Sequence, residues 1–174
     1  MGEKLSEIGR EVTRGRMPTT RAAAIYEFRS RFRAPLPFVY AWCTDYTPDD
    51  SRLEGEEYTR RILRRTARKV VFEDLYDEPT GWMWSHMEVD LRPPNRWHAE
   101  SVGSHRTWSI DYKLSSRDDG TTELWFRGKR RATGLAVKNP PKATLERELK
   151  GMWRNFGRAL EKDYRTSLRR PRRK

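Results

Sequence analysis

Strict alternation is the first pattern the chain offers. From Ala22 onward, Ile25, Glu27, Arg29 and Arg31 alternate with Tyr26, Phe28, Ser30 and Phe32, giving one aromatic face and one mostly charged face. That is the pattern of a half-buried strand. Pro35 stops it, and Pro37 suits the first turn of a helix containing Phe38, Val39, Tyr40, Ala41 and Trp42. A second short helix or turn is expected after Thr47-Pro48, with Thr47 as its cap. Ahead of the first strand, Leu5, Ile8 and Val12 stand at helical spacing within residues 3–14, a short amphipathic helix that Gly15 and Pro18 end.

From Ile62 to Gly134 the chain reads as strands separated by turn signals. Residues 66–76 carry Val70, Val71, Phe72 and Leu75, and residues 82–91 and 97–102 follow. Trp108, Ile110, Tyr112 and Leu114 then alternate cleanly, and residues 121–133 return with Leu124 and Phe126 on one face. The breaks are residues 77–81, Arg92-Pro93-Pro94-Asn95, Gly103-Ser104 and Arg117-Asp118-Asp119-Gly120, the last supplying the positive φ that a tight hairpin needs. Five consecutive hairpin-linked strands make an antiparallel meander. After Pro140-Pro141, Leu145, Leu149, Met152, Trp153, Phe156, Leu160 and Tyr164 mark one face of a helix about five turns long, which must lie along a large apolar surface. The sheet is that surface, so the expected fold is α+β, a curved antiparallel sheet wrapped around a long C-terminal helix.

Composition modifies this picture in one respect. At 174 residues the chain holds one domain, with apolar residues at 35% and charged residues at 36%, against usual shares of about 45–50% and 25%. Seven Trp, seven Tyr and six Phe argue for a packed core beneath that charged surface. The net charge of +12 sits largely at the ends, with +5 in the last six residues and +2 in residues 1–21. The organisation is therefore a basic tail (1–21), a domain (22–168) and a second basic tail (169–174). Cys43 is the only cysteine, which excludes an internal disulfide and a Cys-based zinc site. With no leader-like apolar segment and no stretch near the 18 or so residues of a membrane span, a cytoplasmic protein is expected.

The element order and three segments carry a resemblance. Residues 34–45, Ala-Pro-Leu-Pro-Phe-Val-Tyr-Ala-Trp-Cys-Thr-Asp, are similar to a strand exit, a Pro, an aromatic-rich helix and a closing Asp; Gly120-Thr121-Thr122-Glu123-Leu124 is similar to a Gly-Thr hairpin entering the last strand; a long helix ends the domain. Together they resemble the helix-grip architecture of the START/Bet v 1-like (SRPBCC) superfamily, which includes polyketide cyclase/dehydrase-like proteins. The chain departs from that pattern in residues 49–58, where only Gly55 stands for a Gly-rich loop, and in its Arg-rich tails.

The resemblance implies a cavity of roughly 300–1,000 Å³ that binds or carries a lipid, polyketide-like or other hydrophobic small molecule. Its implied walls are Phe38, Trp42, Met83, Met87, Trp108, Ile110, Tyr112, Phe126, Trp153 and Phe156. It implies no cofactor, and some members catalyse cyclisation or dehydration, which fold alone does not decide. His98 and Glu100 are the acid–base pair for such chemistry if they point inward, but Trp97, Ala99 and Ser101 compete with them for the interior. His86, Glu88 and Asp90 share a face that can bind a metal or relay protons. The opposite face, with Met83, Met87, Val89 and Leu91, is the better interior and sends that row to solvent. Cys43 on an apolar helix reads as packing rather than nucleophile.

The basic segments define a third class of function. Arg60, Arg61, Arg64, Arg65, Arg68 and Lys69, with Lys129, Arg130 and Arg131 and the C-terminal tail, are charges of the kind that bind nucleic-acid phosphates or an anionic membrane surface. They lack a groove-reading helix or an RNP-type aromatic motif.

Overall fold

The computed structural model describes residues 23–78, 81–133 and 139–169. The elements are β1 (Ala24–Phe32), α1 (Leu36–Cys43), α2 (Asp50–Glu54), β2 (Tyr58–Arg65), β3 (Lys69–Glu78), β4 (Gly81–Arg92), β5 (Arg96–Gly103), β6 (Arg106–Ser116), β7 (Thr122–Ala132) and α3 (Lys142–Arg169). All seven strands form one antiparallel sheet in the order β1-β7-β6-β5-β4-β3-β2. Strands β2 to β7 are thus a meander of hairpins. β1 joins the far edge by pairing with β7, from Ala24 opposite Arg130 to Phe32 opposite Thr122. The α1–α2 crossover spans the distance from β1 back to β2, and α3 lies along the inner face of the curved sheet.

Alternation decides which side chains enter. Tyr26, Phe28 and Phe32 of β1, Val70 and Phe72 of β3, Trp97 and Ala99 of β5, and Leu124 and Phe126 of β7 are all buried. Leu145, Trp153 and Leu160 of α3 complete the core. The Asp119-Gly120 turn forms as expected: Gly120 takes φ 76°, and Asp119 Oδ1 accepts from the Thr121 amide at 3.2 Å. At Gly128 the lack of a side chain is a packing requirement. It pairs with Tyr26, and a Cβ there would come within 2.4 Å of the Tyr26 ring.

Three local expectations need correction. Residues 58–65 are a strand, β2, where the sequence shows mainly a run of Arg; its inward row of Tyr58, Arg60 and Ile62 contains a charge, which hides the alternation. β3 begins at Lys69 rather than Thr66, because the Thr66 hydroxyl oxygen accepts from the Lys69 amide at 2.9 Å and closes a turn there. Thr47 does not cap α2: Asp49 holds the cap position, while the Thr47 hydroxyl donates to Asp50 Oδ1 at 3.0 Å. The helix expected within residues 3–14 and the end of the C-terminal tail lie outside the described residues, and α3 runs through Arg169, the first residue of that tail.

Candidate functional site

Sheet, α1, α2 and α3 line a cavity of about 340 Å³ that is partly open to solvent. Its apolar wall is built from inward positions of five strands, β3 to β7, and one face of α3. Trp97 and Tyr112 stack at 4.6 Å with planes 9° apart, Tyr112 meets Phe126 edge-on at 5.1 Å, and Trp153 packs on Phe156 at 5.4 Å. Such a wall resists collapse because each ring is held by others. The Trp153 indole Nε1 is buried on this wall with no hydrogen-bond partner among the described residues.

Of the residues that the sequence reading names, Trp42, Met83, Met87, Trp108, Ile110, Tyr112, Phe126, Trp153 and Phe156 line the cavity. Phe38 does not. It lies one turn before Trp42 on α1 and packs its ring on Tyr164 of α3 at 5.0 Å, sealing helix against helix. Cys43 is on the wall, and burial pushes its thiol well above the ordinary range, so it is a packed neutral group.

Two polar groups on the wall contain Arg60 and Arg130, which the sequence reading assigns to basic clusters for nucleic-acid phosphates or an anionic membrane surface. The first joins β2, β3 and α2. Arg60 grips Asp74 with two bonds, Nε to Oδ1 at 2.8 Å and Nη2 to Oδ2 at 2.9 Å, and donates to Asp50 at 2.5 Å and to the Tyr58 hydroxyl at 2.9 Å. Its guanidinium lies 4.2 Å from the Phe72 ring centroid. Beside it, burial pushes the Glu54 carboxyl up to about 8, with Glu56, Asp74 and Asp50 adding to the effect and Arg60 opposing it. Asp45 is pushed up to about 6, by burial and then by Asp50. Burial thus favours the protonated form of Glu54, which lines the cavity. The second group, Arg106 and Arg130 around Trp108, belongs to β6 and β7.

His98 and Glu100 are not a catalytic pair facing the cavity. Trp97, stacked on Tyr112, takes the inward parity of β5 together with Ala99 and Ser101, so His98 and Glu100 point outward. There His98 bridges Asp111 and Glu100 at 2.8 Å each, and Ser109 donates to Glu100 at 2.7 Å. Desolvation works against the His98 charge, but these two carboxylate bonds prevail and raise its pKa. Held at both ring nitrogens on the outer face, His98 has no access to the cavity. His86, Glu88 and Asp90 also face outward, where Lys69 pairs with Glu88 at 2.6 Å. Among the described residues no group of three His, Cys, Asp or Glu is placed to hold a metal ion.

The basic run of residues 60–69 is divided among several tasks. Arg60 is internal, Arg61 pairs with Glu73 at 3.4 Å, Arg65 donates to the Asp45 and Tyr46 carbonyls, and Lys69 pairs with Glu88. Among the described residues no helix is long and apolar enough to cross a membrane.

No protein-family model matches the chain, and no curated protein matches it. Solved structures do. The Zhui aromatase/cyclase from Streptomyces sp. R1128 superposes with a TM-score of 0.65 at 14% identity, over 84% of this chain and 96% of its own. A START superfamily protein from Mycobacterium smegmatis gives 0.60 at 12% identity, covering 82% and 97%. Ara h 8.0201 gives 0.62 at 11% identity, covering 80% and 98%. A meander closed by β1, two short helices at the crossover and one long helix gripped by the sheet are the features these structures share with the chain. Its fold is the helix-grip fold of START/Bet v 1-like proteins.

Proposed function

We propose that the protein binds and carries a hydrophobic small molecule, lipid or polyketide-like, in the cavity between sheet and α3. One observation carries this reading: a cavity of about 340 Å³, partly open to solvent, lies between the sheet and α3 and is walled by interlocked aromatic rings. Concave, mostly apolar clefts of about 300–1,000 Å³ with a few polar groups on the wall are the usual form of a small-molecule site. The unpartnered Trp153 Nε1 supports it, since a buried donor without an acceptor costs about 1–3 kcal/mol that a ligand oxygen would offset.

A second reading, an enzyme of the cyclase type, is supported by Glu54, whose protonated carboxyl lies on the same wall. Native mass spectrometry of the protein purified from its own cells, followed by extraction of bound molecules, tests the first reading. A stoichiometric apolar molecule is the expected result. Ligand-free protein that copurifies with nucleic acid would overturn it. An extracted molecule that changes on incubation with fresh protein, and not with an E54Q variant, would establish the second.

A further inference from the structure

The inward row of β7 runs Thr122, Leu124, Phe126, Gly128, Arg130 and Ala132, and five of those six positions are what a core strand requires. Arg130 is the exception. It is 8% exposed, its Nε has no hydrogen-bond partner, and among the described residues no carboxylate comes within ion-pair distance. It lies directly across the ladder from Trp108, whose ring centroid is 5.4 Å from its guanidinium carbon. Arg106, two residues before Trp108 on the same face, places a second guanidinium carbon 5.7 Å from that ring. Both arginines line the cavity, as does Glu148 of α3, which forms no ion pair with either. Burial, and then the charge of Arg106, lower the Arg130 pKa, while Tyr26 and Glu148 oppose the change.

This arrangement differs from the other arginine on the wall. Arg60 is buried with its donors satisfied by Asp74, Asp50 and Tyr58. Arg130 is buried with its Nε unpartnered and the like charge of Arg106 beside it, and Glu148 acts on it only from beyond ion-pair distance, a costly state for a cation out of water. Two guanidinium groups on one aromatic platform offer planar donors suited to an oxyanion with two or three oxygens.

Resting on the cavity reading above, we propose that the ligand is an amphiphile: an apolar body lying against Tyr112, Phe126 and Trp153, with one anionic group, a carboxylate or a phosphate, received by Arg130 and Arg106. The anion completes the donors that the protein leaves open and separates the two like charges. An uncharged molecule of the same shape fills the space and leaves that cost in place.

The test uses two dyes that differ by one charge, 1-anilinonaphthalene-8-sulfonate and the neutral N-phenyl-1-naphthylamine, titrated into the full-length protein by fluorescence with stoichiometry from calorimetry. Wild type is expected to bind both at one site, the sulfonate more tightly. R130Q is expected to lose about 10- to 100-fold in sulfonate affinity while the neutral dye changes less than about threefold. R106Q serves if R130Q does not fold, and R131Q, on the outer face of β7, is expected to change neither dye. Displacement by laurate or dodecyl phosphate, and not by 1-dodecanol, supports the anion and tells carboxylate from phosphate. If neither dye binds, the cavity reading itself fails. If both bind and the Arg variants weaken them equally or not at all, or if dodecanol competes as well as laurate, the anion proposal alone is overturned.

Discussion

Replacing Ser101 by Leu separates a true cavity from a filled core by the sign of its effect. Ser101 is 5% exposed on the inner face of β5, opposite Met87 on one side and Trp108 on the other, and all three line the cavity. Leu adds about three carbon groups aimed into the open space, each worth about 0.8 kcal/mol when buried, or about 2.4 kcal/mol in all. Immobilising the Leu side chain takes back about 0.5–1 kcal/mol. The net is a stabilisation of about 1–2 kcal/mol, or a rise in Tm of about 2–8 °C for a chain of this size. In a core already packed to normal density the same substitution costs about 1–3 kcal/mol through forced rotamers and backbone shifts. Differential scanning fluorimetry of the ligand-free protein reads the sign, and dye titration reads the companion loss of affinity, expected to be about 10-fold or more. A lower Tm with unchanged dye binding would refute both the cavity and its place as the binding site.

Arg60→Met leaves Asp74 and Asp50 without their cation and is expected to cost about 3–5 kcal/mol in urea unfolding, with most of it recovered in the R60M/D74L pair; an effect below about 1 kcal/mol would show that the network is not buried in solution. Gly128→Ala forces the Tyr26 ring from its place and should cost about 1–3 kcal/mol by thermal melting, an effect that a Tyr26→Ala background removes if the clash is its cause. Glu54 has a folded-state pKa raised to about 8, so the folded chain holds a proton the unfolded chain loses, and its contribution to stability falls as pH rises from about 4.5 to 8. E54Q should therefore gain on wild type across that window, by at most about 1.4 kcal/mol per pH unit, and parallel urea midpoints at pH 5, 7 and 9 would refute it. Arg130→Met removes a buried, unpartnered cation and is expected to leave the ligand-free Tm unchanged or raise it by a few degrees, whereas a large fall would mean that Arg130 has a structural partner.

The sequence made the fold legible where one face of each strand is uniformly apolar. β1, β6 and α3 were readable because Tyr26, Phe28 and Phe32, broken only by the small Ser30, then Trp108, Ile110, Tyr112 and Leu114, then Leu145 to Tyr164, each keep a single period. β2 was not, because Arg60 points inward and Leu63 outward, reversing the usual assignment at two of eight positions. Only Asp74 and Asp50, at sequence separations of 14 and 10, make an inward Arg60 tolerable, and no local pattern reports such partners. β5 was ambiguous because each face offers one clearly apolar side chain, Trp97 or Val102. The stack of Trp97 on Tyr112 of the neighbouring strand decides it, and with it the outward fate of His98 and Glu100. A signal for the missed site residues was nonetheless present. Asp74 interrupts the row Val70, Phe72, Tyr76, and Arg130 interrupts the row Leu124, Phe126, Ala132. A charge at the apolar parity of an otherwise regular strand is either a buried pair or a ligand contact.

Which of the two it is depends on whether its hydrogen bonds close within the protein. Arg60 and Asp74 satisfy one another and draw in Asp50, Tyr58 and Thr47, so that cluster fixes α2 against β2 and β3 and shapes one wall of the cavity. The Arg130 Nε and the Trp153 Nε1 find no partner among the described residues. Both kinds of polar group carry a desolvation cost, but only the first recovers it during folding; the second recovers it when a ligand arrives. Under the proposed reading, such a wall keeps its shape when empty through the closed Arg60 cluster and discriminates among ligands through Arg130. The same fold around a different ligand needs only the second set changed, which is why similarity of fold at 11–14% identity carries so little information about what the cavity holds.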